Sequence, residues 1–217
     1  MKNSHKLIVL DLDDTLIDCS KMALIKTRYL AEKFGYKFDE DRFWELFGKV
    51  SFESCITTLF PGIDLERYKT EYEQLKYGEF PYQTLIDVDE LLDRLFQSGY
   101  DVGIVTNESG EKCSQKLKTA VKREEIRKRL KFVLDIDSLG GKKSDELAIE
   151  RFRKIIGTDY EEVTFIGDSV SDYIFATRAK IGFVGVLSGV DTKENFMNAG
   201  VQGKLFASIS EFADSIM

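Results

Sequence analysis

One histidine in 217 residues limits the chemistry this chain can perform. It is His5, close to the start of the sequence. A Ser-His-Asp or Cys-His machine needs an imidazole held inside a packed site, and a zinc site of several histidines needs more than one. Carboxylates, Lys, Thr or Ser must carry any reaction. Such groups gather at four places: Asp11-Leu12-Asp13-Asp14-Thr15, Thr106-Asn107, Gly140-Gly141-Lys142-Lys143-Ser144-Asp145, and Gly167-Asp168-Ser169-Val170-Ser171-Asp172. Carboxylates serve as acids, bases and nucleophiles and as oxygen ligands for hard cations. Hydroxyl, amide and ammonium groups stabilise anions.

Each cluster follows a short apolar run or lies a few residues beyond one. The runs are Leu7–Leu10, Val102–Val105, Phe132–Leu134 and Val163–Ile166, with a fifth at Gly182–Val186 and a short sixth at Lys204–Phe206. Continuous apolar runs of this length predict strands buried on both faces, as in parallel sheets. Helical patterns lie between them. Leu85, Val88, Leu91, Leu92 and Leu95 form a stripe, with Thr84 and Asp87 as its predicted capping box. The charged stretch from Glu111 to Leu130 predicts a helix with a solvated face. Ala148, Phe152, Ile155 and Ile156 form a stripe ended by Gly157, a helix is expected over 170–180, and another near Glu211. Strands alternating with helices define an α/β, Rossmann-like parallel sheet covered on both faces. The carboxyl ends of such strands converge on one crevice.

One segment breaks the alternation. From Ser20 to Gly78 the apolar positions have helical spacing: Met22, Ile25 and Tyr29; Phe43 and Phe47; Phe52, Cys55, Ile56 and Leu59; Leu65, Tyr68, Tyr72 and Leu75. This predicts a small all-helical domain inserted after the first strand and lying over one end of the sheet. The expected division is 1–18 with 80–217 for the α/β core and 19–79 for the insertion. The aromatics Phe43, Trp44, Phe47 and Phe52 read as core of that insertion.

Asp-x-Asp-x-Thr after the first strand, Thr after the second, Lys after the third and the acidic pair after the fourth together resemble the haloacid dehalogenase superfamily. The inserted helices are similar to the helical cap of its phosphoglycolate phosphatase and β-phosphoglucomutase branch. The resemblance implies a Mg²⁺-dependent phosphomonoesterase acting on a small phosphorylated metabolite. Asp11 would be the nucleophile that forms an aspartyl-phosphate, and Asp13 the acid and base serving the leaving group and water. Asp11, the backbone carbonyl of Asp13, Asp168 and Asp172 would hold the ion. Thr106, the backbone N–H of Asn107 and a lysine would bind the phosphoryl oxygens. The family usually carries Lys-Pro-Asp at the third station. Lys143-Ser144-Asp145 aligns with it without the proline, and Lys142 is the neighbouring alternative.

Each cluster also has a structural reading. Thr15 could cap a helix, Ser169-x-x-Asp172 spells a capping box, and Lys142 and Lys143 could be surface charges. A phosphomutase of the same branch shares every motif, and a catalytically silent relative that binds protein is compatible with them. Carbon–halogen hydrolysis needs neither Asp13 nor a metal, so the acidic residues argue against it. Response-regulator receivers use similar groups in a different order along the chain.

Composition narrows the setting. The net charge of −7 disfavours nucleic-acid and anionic-membrane partners. No apolar stretch reaches membrane-spanning length. Cys19, Cys55 and Cys113 are odd in number and include no C-x-x-C pair, which fits a reducing cytoplasm. A homo-oligomer is compatible with the sequence.

Overall fold

The computed structural model describes residues 5–75 and 79–216. The chain divides into two compact units, Met1–Asp18 with Thr84–Met217, and Cys19–Gln83. Among the described residues the larger unit holds a six-stranded parallel sheet. Its strands are β1 (Lys6–Leu10), β2 (Tyr100–Val105), β3 (Val133–Leu134), β4 (Glu162–Gly167), β5 (Gly182–Val186) and β6 (Leu205–Phe206). They lie in the order β3-β2-β1-β4-β5-β6. Leu7, Ile8, Val9 and Leu10 are each no more than 2% exposed, so β1 is buried on both faces. The sheet grows to one side of β1 through β2 and β3, and to the other through β4, β5 and β6. That reversal is a topological switch point, where open α/β sheets bind ligands. Leu10 pairs with Ile104 on one side and Ile166 on the other. The three central strands therefore end level with one another.

The smaller unit is helical: α1 (Cys19–Lys33), α2 (Glu40–Leu46), α3 (Phe52–Leu59) and α4 (Leu65–Gln74). Asp39, Ser51 and Asp64 cap α2, α3 and α4, each accepting the N–H three residues on. Leu30, Ala31, Ile56, Phe60 and Tyr68 form its core. The predicted stripes need correction. Helix α1 buries Met22, Leu24, Leu30 and Ala31, whereas Ile25 and Tyr29 are exposed. Apolar residues surround much of α1, so spacing alone does not select the buried arc. Phe43 is buried, but Trp44 and Phe52 are exposed.

The larger unit continues with α5 (Val88–Gln97), α6 (Gly110–Ala120), α7 (Glu124–Arg127), α8 (Ile136–Leu139), α9 (Glu146–Ile156), α10 (Val170–Ala179), α11 (Lys193–Asn198) and α12 (Ile209–Ser215). Helix α5 starts three residues later than the predicted capping box implies. Asp87 is itself the N-cap and accepts the Glu90 N–H, while Thr84 bridges to Ile17. The long helix expected over 111–130 is broken after Ala120. Val121 is fully buried there, and the Asp89 carboxylate captures the Arg123 N–H at 3.2 Å. The stretch is also not uniformly solvated, because Lys116 is only 5% exposed.

Alternation along the strands sends Leu7 and Val9 into a cluster with Phe152 of α9, Phe165 of β4 and Phe175 of α10. Phe175 lies 5.0 Å from Phe152 and 5.4 Å from Phe165, centroid to centroid, in tilted and edge-on packing. Helix α5 packs on β2, and α12 on α5. No helix among the described residues is long and apolar enough to cross a membrane. Phe152→Ala removes a fully buried ring beneath the sheet. It is expected to lower unfolding stability by about 3–5 kcal/mol, measured by urea denaturation.

Candidate active site

The level strand ends bring the four clusters together. Asp11 directly follows β1, and its N–H donates to Ile166 O at 2.9 Å, prolonging the pairing with β4 by one residue. Asp168 directly follows β4 and Thr106 directly follows β2. Three residues after Asp11, the chain turns sharply. Asp14 adopts φ 55°, a left-handed conformation that Asp tolerates better than most residues. Its N–H donates to Ile17 O at 2.7 Å, closing the turn.

Lys143 lies at the centre of the cluster. Its Nζ donates to Asp11 Oδ1 at 2.6 Å and to Asp172 Oδ1 at 2.5 Å. All three residues are at most 4% exposed, whereas Lys142 is exposed. Geometry thus separates the two lysines that the sequence left open. The Lys143 loop is held without the family's proline. Asp145 Oδ2 accepts the Lys142 N–H at 2.8 Å, and Asn107 Oδ1 accepts the Lys143 N–H at 2.8 Å. Asn107, expected to act through its backbone, also ties the second station to the third through its side chain.

Asp172 fulfils the capping reading and the clustering one together. Its Oδ2 accepts the Ser169 N–H and hydroxyl at 3.2 and 2.7 Å, completing the capping box of α10. Its Oδ1 remains for Lys143. Asp168 accepts the Val190 N–H on Oδ2 at 3.1 Å, and Thr15 Oγ1 lies 3.4 Å from its Oδ1. Thr15 thus reaches a carboxylate and is not the helix cap of the alternative reading. Thr106 is fully buried, and its hydroxyl accepts the Glu108 N–H at 3.0 Å, which leaves its own hydrogen to donate. It precedes the first residue of α6 by four positions.

Oxygens of Asp11, Asp168 and Asp172 all lie within 4.8 Å of one another. Burial pushes the Asp11 carboxyl well above its ordinary range, against the pull of Lys143, and Asp172 adds to the rise. Burial, then Asp11 and Asp172, raise Asp168 in the same direction. Burial acts to lower Lys143, but the two carboxylates outweigh it and hold the ammonium above its usual value. Three buried carboxylates against one ammonium leave an excess of negative charge that favours protons or a cation. An all-oxygen donor set of this kind fits a hard divalent ion such as Mg²⁺.

Sequence reasoning missed two groups. A fifth strand end contributes the loop after β5. Ser188 Oγ donates to Asp14 O at 3.0 Å, and a Cβ at Gly189 would fall 1.8 Å from Asp168 Oδ2. The small and polar run Ser188-Gly189-Val190-Asp191 was the available signal. Lys116 and Glu108 are the second group. Lys116 Nζ donates to Asp13 Oδ1 and to Glu108 Oε2, each at 2.6 Å. Their spacing gave no sign of it within a charge-rich stretch.

Residues 8–186 match the model of the haloacid dehalogenase-like hydrolases. The chain belongs to that family. Solved structures with the same fold include a Thermotoga maritima protein named as a β-phosphoglucomutase, at 19% identity and a TM-score of 0.75, covering 97% of this chain and 98% of that one. Another is a predicted phosphoglycolate phosphatase from Haemophilus somnus 129PT, at 19% identity and a TM-score of 0.74, with both chains covered in full. A third is a predicted phosphatase from Clostridium acetobutylicum, at 21% identity and a TM-score of 0.68, with 99% of each chain covered. At these identities the likeness is one of fold. No curated protein is a significant match to this chain.

Gly189→Ala forces Asp168 off its present rotamer. If the acidic cluster holds a divalent cation, the substitution is expected to weaken its binding by about tenfold or more, measured by isothermal titration calorimetry with Mg²⁺ as the probe. Unchanged affinity would separate the β5 loop from the acidic cluster.

Proposed function

We propose that the protein is a Mg²⁺-dependent phosphomonoester hydrolase that acts on a small phosphorylated metabolite through an aspartyl-phosphate at Asp11. The observation that carries this reading is the buried contact of Lys143 with both Asp11 and Asp172, beside Asp168. A carboxylate nucleophile and a phosphate ester repel each other, so a site that combines them must supply fixed positive charge. Membership of a hydrolase family supports the reading, as do structural relatives named as phosphatases.

Asp11 attacks phosphorus in line with the ester oxygen, forming the Asp11–phosphorus bond as the bond to the leaving alcohol breaks. Asp13 delivers a proton to that alcohol. It then takes one from the water that attacks phosphorus and releases inorganic phosphate, restoring Asp11. Lys143 balances charge on the transferring group and orients Asp11. The Thr106 hydroxyl and the Asn107 N–H bind the non-reacting phosphoryl oxygens. Asp11, Asp168 and the carbonyl of Asp13 would hold the Mg²⁺, with Asp172 completing the set while it steadies Lys143. When bound, the ion supplies Lewis-acid neutralisation of the phosphoryl charge.

The mutase reading draws support from the relative named as a β-phosphoglucomutase. Product analysis with a hexose phosphate separates the two, since hydrolysis yields free phosphate and a mutase an isomer. With an aryl phosphate and Mg²⁺, wild-type protein is expected to release phosphate, to stop on addition of EDTA and to recover with excess Mg²⁺. Asp11→Asn is expected to cut turnover by at least about a thousandfold with an unchanged melting curve. Wild-type-like turnover in that variant, or activity indifferent to EDTA, would sink the proposal.

A further inference from the structure

We infer that Lys116 is the positioning residue for Asp13, holding its carboxylate in one orientation toward the reacting ester. This rests on the phosphohydrolase reading above and extends it to a residue outside the four clusters. Lys116 sits on α6, and its side chain is 6% exposed, which is rare for a lysine and requires compensation. Its Nζ contacts Asp13 Oδ1 and Glu108 Oε2, each at 2.6 Å. Glu108 is itself anchored, because its N–H donates to the Thr106 hydroxyl and its Oε1 accepts the Ser109 N–H at 3.2 Å. Lys116 therefore joins the loop after β2 to the loop after β1.

The consequence for Asp13 is geometric. Asp13 directly precedes the sharp turn at Asp14, and its side chain is 31% exposed, so the buried Lys116 ammonium gives its carboxylate a fixed point of contact. The ammonium on Oδ1 fixes the plane in which the carboxylate lies. Asp13 passes its proton to the ester oxygen as the phosphorus–oxygen bond breaks, and the electron pair of that bond ends on the departing alcohol. A wandering carboxylate would present either oxygen at any angle and lose the advantage of a placed acid.

The test measures kcat/KM, which reports the steps up to leaving-group departure, for esters from activated aryl phosphates to glycerol phosphate with Mg²⁺ present. Asp13→Asn supplies the reference for an absent acid. Aryl oxides leave without help, whereas alkoxides need the proton. Lys116→Met is expected to lower kcat/KM for the alkyl ester at least about tenfold more than for the aryl ester, towards the Asp13→Asn pattern. An equal loss on both esters, or no loss, overturns the inference and leaves the phosphohydrolase reading standing. Wild-type protein inert toward every ester removes the reading and the inference together. Should Lys116→Met fail to fold, Glu108→Ala keeps the ammonium but removes its second anchor. It should show the same selective loss at smaller size, and a uniform loss again overturns the inference.

Discussion

Mutual repulsion among buried carboxylates is the constraint around which this molecule is arranged. Asp11, Asp168 and Asp172 offer oxygens within 4.8 Å of one another, in surroundings that water scarcely reaches. Two like charges 4 Å apart repel by about 4 kcal/mol even at an effective dielectric of 20. A folded chain tolerates that only where fixed donors face the oxygens. Here they are the Lys143 ammonium, the Ser169 cap and the Val190 N–H. The residual excess of negative charge would favour a cation among these oxygens. The same excess would repel a phosphate ester, and in the proposed function cation and lysine together would offset it.

The sheet holds this arrangement in place. Level endings of β1, β2 and β4 follow from Leu10 pairing with Ile104 and Ile166. A slip of one residue in either pairing would turn Asp11 or Asp168 to the other face of the sheet. The aromatic packing of Phe152, Phe165 and Phe175 lies behind those strands and resists such a slip. Gly167 and Gly189 serve the same end by having no side chain. A Cβ at Gly167 would lie 2.4 Å from Asp172 Oδ2, so the backbone can approach the carboxylates only as glycine. Stability and site geometry thus share one set of contacts.

The two lysines of the site illustrate how charge is read in context. Lys143 belongs to a loop of small residues and is held by Asn107 and Asp145 through the backbone around it. Lys116 belongs to a helix that otherwise carries exposed charge, and its buried contacts with Asp13 and Glu108 set it apart. A buried ion group of this kind contributes little net stability.

The residues themselves determined much of this protein. Apolar runs of strand length, each leading toward a polar cluster, pointed to the parallel sheet and to a crevice shared by Asp11, Thr106, Asp168 and one of Lys142 and Lys143, because strand burial and crossover handedness leave few other arrangements. Helical spacing between Ser20 and Gly78 marked the insertion. Other features needed the folded chain. Lys142 and Lys143 are identical in type, and only the path of the loop puts one inside. Asp172 could be read as cap or as ligand until its two oxygens were seen to face different partners. Ile25 and Tyr29 looked buried because periodicity cannot choose among several apolar arcs. Lys116 lay hidden in a charge run because a lysine's environment depends on residues about a hundred positions away. Local propensity and patterning act over a few neighbours. The pairing of charges across strand ends is settled only when tertiary packing brings distant segments together and excludes water from between them.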